Sequence, residues 1–75
     1  MSELLDILNK AKPGIDYVNE KHLVSDELID SLDVMTIVTE LCDEFDVDIL
    51  PTDIVPENFE SAEAMWALVV RLQEE

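Results

Sequence analysis

The chain carries very little positive charge. Its 75 residues include four lysines and arginines against 19 aspartates and glutamates, which gives a formal net charge of −15 at pH 7. Between residues 25 and 60 there are twelve acidic residues and no lysine, arginine or histidine. Nucleic acid is therefore not an expected partner, because its recognition needs clustered positive charge. A field of one sign attracts basic partners instead, unless the acids serve only to keep the protein in solution.

Cysteine, glycine and long apolar runs are also scarce. The single cysteine, Cys42, excludes an internal disulfide framework and fits a reducing compartment. No apolar run reaches the roughly 18 residues of a membrane-spanning helix, and no basic leader precedes an apolar stretch. The single glycine rules out a glycine-rich phosphate loop, and there is no Cys/His set for zinc. These absences predict a cytoplasmic protein without membrane insertion.

The length predicts one small domain, residues 1–75. A chain of this size buries only about 60% of its unfolded surface, so it has little interior for a catalytic cleft. A serine hydrolase would also need a base and an oxyanion donor, and the only histidine, His22, reaches Ser31 only through the fold. No glycine-flanked nucleophile elbow is present. We therefore expect that the chain is not an enzyme.

Apolar residues recur at spacings of three and four in three segments, as in amphipathic helices. No segment shows the strict alternation of apolar and polar residues that is typical of a β-strand. The first segment can be capped by Ser2 and ends at Pro13 and Gly14. The last can be capped by Ser61. The connection over residues 13–30 contains enough apolar side chains to be pinned to a core, and a loop of this length is usually functional or contains an undetected helical turn.

The second segment gives the clearest helix. Asp30 is a good N-cap for it, and Asp33 resembles the acidic half of a capping box. One side has the apolar residues Leu32, Met35, Val38, Leu41, Cys42 and Phe45. The other side has the polar residues Asp33, Thr36, Glu40, Asp43 and Glu44. The pattern predicts one core face and one acidic face.

Two prolines follow this helix. A short helical piece is predicted to begin at Pro51 and to end near Pro56. The segments together predict an all-α fold, a small bundle of three main helices plus one short helix, with a long first loop.

Residues 46–57 match an EF-hand calcium loop at some positions but not at the decisive ones. Asp46, Asp48 and Glu57 match positions 1, 3 and 12 of an EF-hand loop. Leu50 offers no oxygen ligand at position 5, and Pro51 stands where the sharp turn at position 6 needs glycine. We predict no dedicated metal site.

Ser31 raises the main chemical question, because it lies between Asp30 and Asp33 where the acidic helix begins. A serine just after a helix cap faces outward, where free backbone N–H groups and the positive end of the helix dipole favour a phosphate. The position suits a phosphodiester. The alternative is that Ser31 is a second capping residue beside Asp30, and the spacing alone favours this simpler role.

The sequence DSLD at residues 30–33, opening an acidic amphipathic helix that ends in EFDVDI at residues 44–49, resembles the acyl carrier protein family. The resemblance covers about residues 24–72 and agrees with the length, acidity and helical plan. In that family the serine carries 4′-phosphopantetheine, transferred from coenzyme A by a separate synthase, and the terminal thiol holds an acyl group as a thioester. The resemblance implies a freestanding carrier modified on Ser31.

The resemblance also implies which residues meet partner enzymes. Asp30 is the neighbouring acid, expected to help orient the serine or its metal in the transferase complex. The other implied partner-binding residues are Leu32, Asp33, Met35, Thr36, Glu40 and Glu44. The implied partners are a phosphopantetheinyl transferase, an acyl- or aminoacyl-loading ligase and downstream acyl-processing enzymes with basic docking patches, and the carrier is expected to be a monomer. For the acids other than Asp30, the alternative is that they are simply exposed to solvent and bind no partner.

The branch of the family stays open. Leu28 and Ile29 stand where fatty-acid carriers usually have a glycine and a small residue, and Thr36 stands where they have glutamate. These features, with PENFES at residues 56–61, resemble D-alanyl carriers and nonribosomal peptide synthetase carriers, whereas DSLD and EFDVDI resemble fatty-acid and polyketide carriers.

The cargo also stays open. Met65 and Trp66 are expected to fill the space between the second helix and the last two elements, which favours a short or polar cargo. The alternative function is an acidic helical interaction module, a regulator or polyanion mimic, in which Ser31 is only a helix cap.

Overall fold

The structure, a computed structural model, describes residues 2–74. Its helical elements are α1 (Ser2–Ala11), α2 (Ser31–Phe45), a 3₁₀ turn (Pro51–Asp53), α3 (Pro56–Phe59) and α4 (Ala62–Gln73). No β-strand occurs within residues 2–74, which confirms the predicted all-α fold with three main helices and a long first loop. None of the helices in this described part is long and apolar enough to cross a membrane.

The boundaries of α2 are set by its capping residues. The backbone N–H of Asp33 donates to Oδ1 of Asp30 at 2.9 Å, and the N–H of Asp30 donates to Oδ2 of Asp33 at 3.1 Å. This reciprocal pair is the predicted capping box, and it satisfies donors that the first turn leaves without helical partners. The helix ends at Phe45, and the next residue, Asp46, adopts left-handed backbone angles (φ 52°) and donates its N–H to the carbonyl of Cys42.

The other two long helices begin and end close to the predicted residues. Helix α1 ends at Ala11, just before Pro13 and Gly14, and Gly14 has the positive φ of 91° that glycine adopts without strain. Ser61 caps α4, because its hydroxyl accepts the N–H of Ala64 at 3.0 Å. Ser2 is the first helical residue of α1 and not the residue before it, so its predicted capping position is wrong by one residue.

The predicted short helix is wrong in its extent. Pro51 begins a single 3₁₀ turn that ends at Asp53, and Pro56 begins a separate short helix, α3, instead of ending the first one. Proline suits the first position of a helix because that position needs no backbone donor and because the ring fixes a helical φ. Both prolines therefore start an element.

One cluster of buried side chains holds the elements together. It includes Leu4, Ile7 and Leu8 of α1, Ile37, Val38 and Leu41 of α2, Phe59 of α3, and Met65, Leu68 and Val69 of α4. The predicted apolar side of α2 is partly wrong, because Ile37 is fully buried whereas Leu32 and Met35 are 76% and 51% exposed. Val38 and Leu41 are buried as predicted, and Cys42 and Phe45 are half-buried. The first turns of α2 therefore extend past the core.

The long first loop is fixed to this core. Tyr17, Leu23 and Ile29 are buried, and the Tyr17 hydroxyl donates to the carbonyl of Lys12. The N–H of Asp26 donates to the carbonyl of residue 22 at 2.9 Å, which forms one helix-like turn within the loop. The loop therefore has a defined path, as its apolar content predicts.

Candidate functional site

Ser31 is the first helical residue of α2 and is exposed. Asp30 performs the capping at this end, and within residues 2–74 the structure shows no hydrogen bond from the Ser31 side chain. The hydroxyl thus lies at the positive end of the helix dipole and is free to react.

The carboxylate beside Ser31 is held in its charged form. The backbone N–H of Asp33 donates to Asp30, and this bond is the largest cause that keeps the pKa of Asp30 below its ordinary value. The positive charge of Lys12 acts in the same direction. Lys12 also forms an ion pair with Asp33, with 3.6 Å between Nζ and Oδ2. An anion therefore adjoins the serine at neutral pH.

A groove of about 510 Å³ begins at Ser31. One wall is formed by the end of the first loop, and the second by the first turns of α2. The third wall is formed by α3 and the two residues that precede it. The lining residues are Val24, Glu27, Ile29, Asp30, Ser31, Val34, Met35, Ile54, Val55, Pro56 and Phe59. Seven of these are aliphatic or aromatic side chains and one is proline, and the volume lies in the range of about 300–1,000 Å³ found for small-molecule sites.

Met65 and Trp66 lie where they are expected, in the space between α2 and α4, and this space is not the groove. Met65 is fully buried in the core, and neither residue lines the groove. The Trp66 ring instead packs edge-on against Phe45, with ring centroids 5.7 Å apart and an interplanar angle of 74°. These two side chains therefore leave the groove beside Ser31 unoccupied.

The predicted partner-binding residues of α2 differ in their exposure to solvent. Leu32, Met35, Thr36, Glu40 and Glu44 are exposed along α2 and form one surface with Ser31 at its start. The hydroxyl of Thr36 donates to the carbonyl of Leu32 at 3.0 Å, within the helix. Asp33 is different, since its side chain is only 19% exposed and is engaged by Asp30 and Lys12. Its role in the structure is to form the start of α2.

Sequence reasoning missed most of the groove. Val24, Ile54, Val55 and Phe59 are distant from Ser31 in the sequence and belong to a loop and a short helix. No periodic pattern connects such residues, because only the tertiary fold brings them together. The one available signal was the run of apolar residues around Pro56, next to the buried Phe59.

One group in the described part of the chain has metal-ligand spacing. Ligand atoms of Glu20, His22 and Asp26 lie within 4.8 Å of one another in the first loop, and a site with these residue types suits divalent transition ions. Asp46, Asp48 and Glu57 form no such group among residues 2–74. The group in the loop lies outside the Ser31 site, and its His22 and Asp26 are exposed.

No protein-family model, no curated protein and no solved structure matches this chain. The function is therefore inferred from the surroundings of Ser31.

Proposed function

We propose that the protein is a freestanding acyl carrier in which Ser31 bears 4′-phosphopantetheine and presents a thioester to partner enzymes. The observation that carries the proposal is the position of the Ser31 hydroxyl. It is exposed, it lies at the start of α2 beside an ionised carboxylate, and it opens onto an apolar groove. Asp30 already caps the helix, which leaves the serine available for attachment.

The attachment is a phosphodiester exchange performed by another enzyme. The Ser31 oxygen attacks the β-phosphorus of coenzyme A, the new P–O bond forms, and the pyrophosphate bond breaks to release adenosine 3′,5′-bisphosphate. The hydroxyl proton passes to a base of the transferase. The phosphodiester left on the serine carries one negative charge, which the N-terminus of α2 stabilises.

The groove supports a cargo with an apolar chain. Its mostly apolar lining would take such a chain out of water, and burial of apolar area stabilises by about 25 cal/mol per Å². The protein itself performs no step of the acyl chemistry. It shields the cargo between visits to its partners.

The surface of α2 supports docking by basic partners. Leu32 and Met35 offer exposed apolar area next to Ser31, and Glu40 and Glu44 add negative charge farther along the helix. An apolar anchor beside charges of one sign fits a weak, fast and electrostatically steered contact. The proposed partners are the phosphopantetheinyl transferase, a loading ligase and downstream acyl-processing enzymes, and the proposed site of this work is the cytoplasm.

Mass spectrometry tests the attachment. The folded protein is incubated with coenzyme A, Mg²⁺ and a promiscuous phosphopantetheinyl transferase. A carrier gains the mass of one phosphopantetheinyl group, Ser31→Ala gains none, and Ser2→Ala, which removes an exposed serine at the start of α1, gains one. An unmodified wild-type chain with a native circular dichroism spectrum would favour the acidic interaction module instead.

A further inference from the structure

Two walls of the groove are joined by a single side chain, that of Glu60. Its Oε1 accepts the backbone N–H groups of Val24 and Ser25, each at 2.9 Å. Its Oε2 accepts the hydroxyl of Ser25. The main-chain carbonyl of Glu60 also accepts the N–H of Leu23 at 2.9 Å. Four hydrogen bonds therefore connect the first loop to the end of α3, across 35 or more positions of sequence.

These bonds act next to the groove without lining it. Val24 lies in the wall formed by the end of the first loop, here called the loop wall. Phe59, the neighbour of Glu60, lies in the wall that contains α3. Leu23 and Phe59 are both buried, so the two walls are already joined at the core. The Glu60 carboxylate adds a second connection through the backbone of Val24 and Ser25. The carboxylate thus links the two walls at a point outside the buried core.

Within residues 2–74, the hydrogen bonds that residues 23–29 make to other elements all go to Glu60, and an ion pair between Lys21 and Glu63 adds one further link from the same loop. Its own backbone bonds are local, from the N–H groups of Glu27 and Leu28 to the carbonyls of Val24 and Leu23 at 3.0 and 2.9 Å. Glu27 has a φ of 58°, and these two bonds close the turn around it in the pattern that commonly ends a helix with a left-handed residue. The local bonds fix the shape of the turn, and the Glu60 carboxylate connects the turn to the chain that follows α3.

We propose that Glu60 is a positioning residue for the cargo, because its carboxylate fixes the loop wall against α3 and so sets how long an apolar chain the groove shelters. This inference rests on the proposed carrier function. Glu60 itself does not line the groove, so it acts through Val24 and Ser25.

The first test uses the unmodified protein and needs no cargo. Amide hydrogen exchange is measured by NMR for Glu60→Ala, Glu60→Gln and Glu57→Ala. The last is the matched control, because it removes an exposed acid of α3 with the same change in charge. We expect Glu60→Ala to lower the protection of the Val24 and Ser25 amides by about tenfold or more relative to wild type.

Two internal controls sharpen this measurement. Glu60→Gln retains an oxygen acceptor and should lie between wild type and Glu60→Ala. The Leu23 amide donates to the main-chain carbonyl of residue 60, which every variant keeps, so its protection should change least. Unchanged protection of Val24 and Ser25 in folded Glu60→Ala would overturn the proposal.

The second test uses protein loaded on Ser31 with saturated acyl chains of increasing length. For wild type and Glu57→Ala, the thioester should become slower to react with hydroxylamine as the chain lengthens, up to a common limiting length. In Glu60→Ala the limit should shift or disappear, and Glu60→Gln should restore it in part. An identical limit in all four proteins would overturn the proposal while the carrier function stands. Failure to load Ser31 at all would overturn the carrier function, with its cargo, whatever the exchange data show.

Discussion

At the scale of single residues, Asp30 and Ser31 divide two tasks that the sequence left open. Either could have capped α2, since both residue types accept a hydrogen bond at a helix start. Asp30 takes the cap, with reciprocal bonds to Asp33, and within residues 2–74 the structure shows no hydrogen bond from the Ser31 hydroxyl. The sequence predicted the capping box because its spacing is local, but the availability of the serine depends on side-chain geometry.

The contribution of Asp30 to stability should depend on pH. Because hydrogen bonds lower its pKa in the folded state, its charge stabilises the fold above the ordinary value of 3.8 and this contribution is lost as pH falls through the lower folded value. We expect wild type to melt above Asp30→Asn at pH 7 and the difference to shrink as pH falls below 3.8. Thermal melts of both proteins across this range measure it. A difference that does not depend on pH would show that the charge is irrelevant.

A substitution at Glu27 compares backbone strain in the folded state with chain entropy in the unfolded state. Its left-handed backbone (φ 58°) costs a residue with a Cβ about 1–2 kcal/mol, whereas glycine loses roughly 0.5–1 kcal/mol through its freer unfolded chain. Glu27→Gly should therefore raise the free energy of unfolding by roughly 0.5–1 kcal/mol, as the difference of these two effects. Glu27→Gln is the control, since it removes the same charge but keeps the Cβ. Urea denaturation that ranks Glu27→Gly at or below Glu27→Gln would contradict the expectation.

At the scale of elements, helix starts and stops were predictable but the orientation of α2 was not. Asp30, Ser61, Pro13 and Gly14 act through neighbours in the sequence, so local rules place the helix ends to within a residue or two. The buried side of α2 depends on where α1 and α4 pack. The apolar pattern therefore marked Leu32 and Met35 as core residues and omitted Ile37.

This orientation has a measurable consequence for stability. Ile37 is fully buried, so Ile37→Ala should remove about 2–5 kcal/mol from the free energy of unfolding. Leu32→Ala, at a side chain that is 76% exposed, should change it by less than about 0.5 kcal/mol. Denaturant titrations of the two variants compare them directly. Equal losses would mean that the first turns of α2 belong to the core.

Leu32→Ala links this element to function as well. If the exposed first turns of α2 dock partners, the variant should keep its fold but be modified more slowly by the transferase.

At the scale of the whole molecule, the groove and the charge are both collective properties. The groove exists because the first loop, α2 and α3 meet beside Ser31, and no local pattern contains it. The charge is visible in composition alone, and the structure shows only three Lys or Arg ion pairs among residues 2–74, made by Lys12, Lys21 and Arg71. Four basic side chains cannot balance 19 carboxylates, so the chain keeps a large excess of negative charge.

Self-repulsion of this kind should make the melting temperature depend on salt. Raising NaCl from about 0.01 M to about 1 M shortens the Debye length from about 30 Å to about 3 Å, which screens repulsion between exposed carboxylates. The melting temperature should rise over this range, and millimolar Mg²⁺ should raise it further than NaCl of equal ionic strength. A melting temperature that does not change with salt concentration would contradict the prediction.

Asp26→Asn and Glu57→Gln together distinguish diffuse screening from a bound ion, because each removes one exposed carboxylate. If Mg²⁺ acts only on the field of the whole molecule, the two variants should respond to it alike. A response lost only in Asp26→Asn would instead assign the effect to the group of Glu20, His22 and Asp26, whose ligand atoms lie within 4.8 Å of one another. Mg²⁺ prefers oxygen ligands, and this group offers only two carboxylates among the 19 acids of the chain. The acidic composition, and not that group, is therefore expected to govern the stabilisation by Mg²⁺.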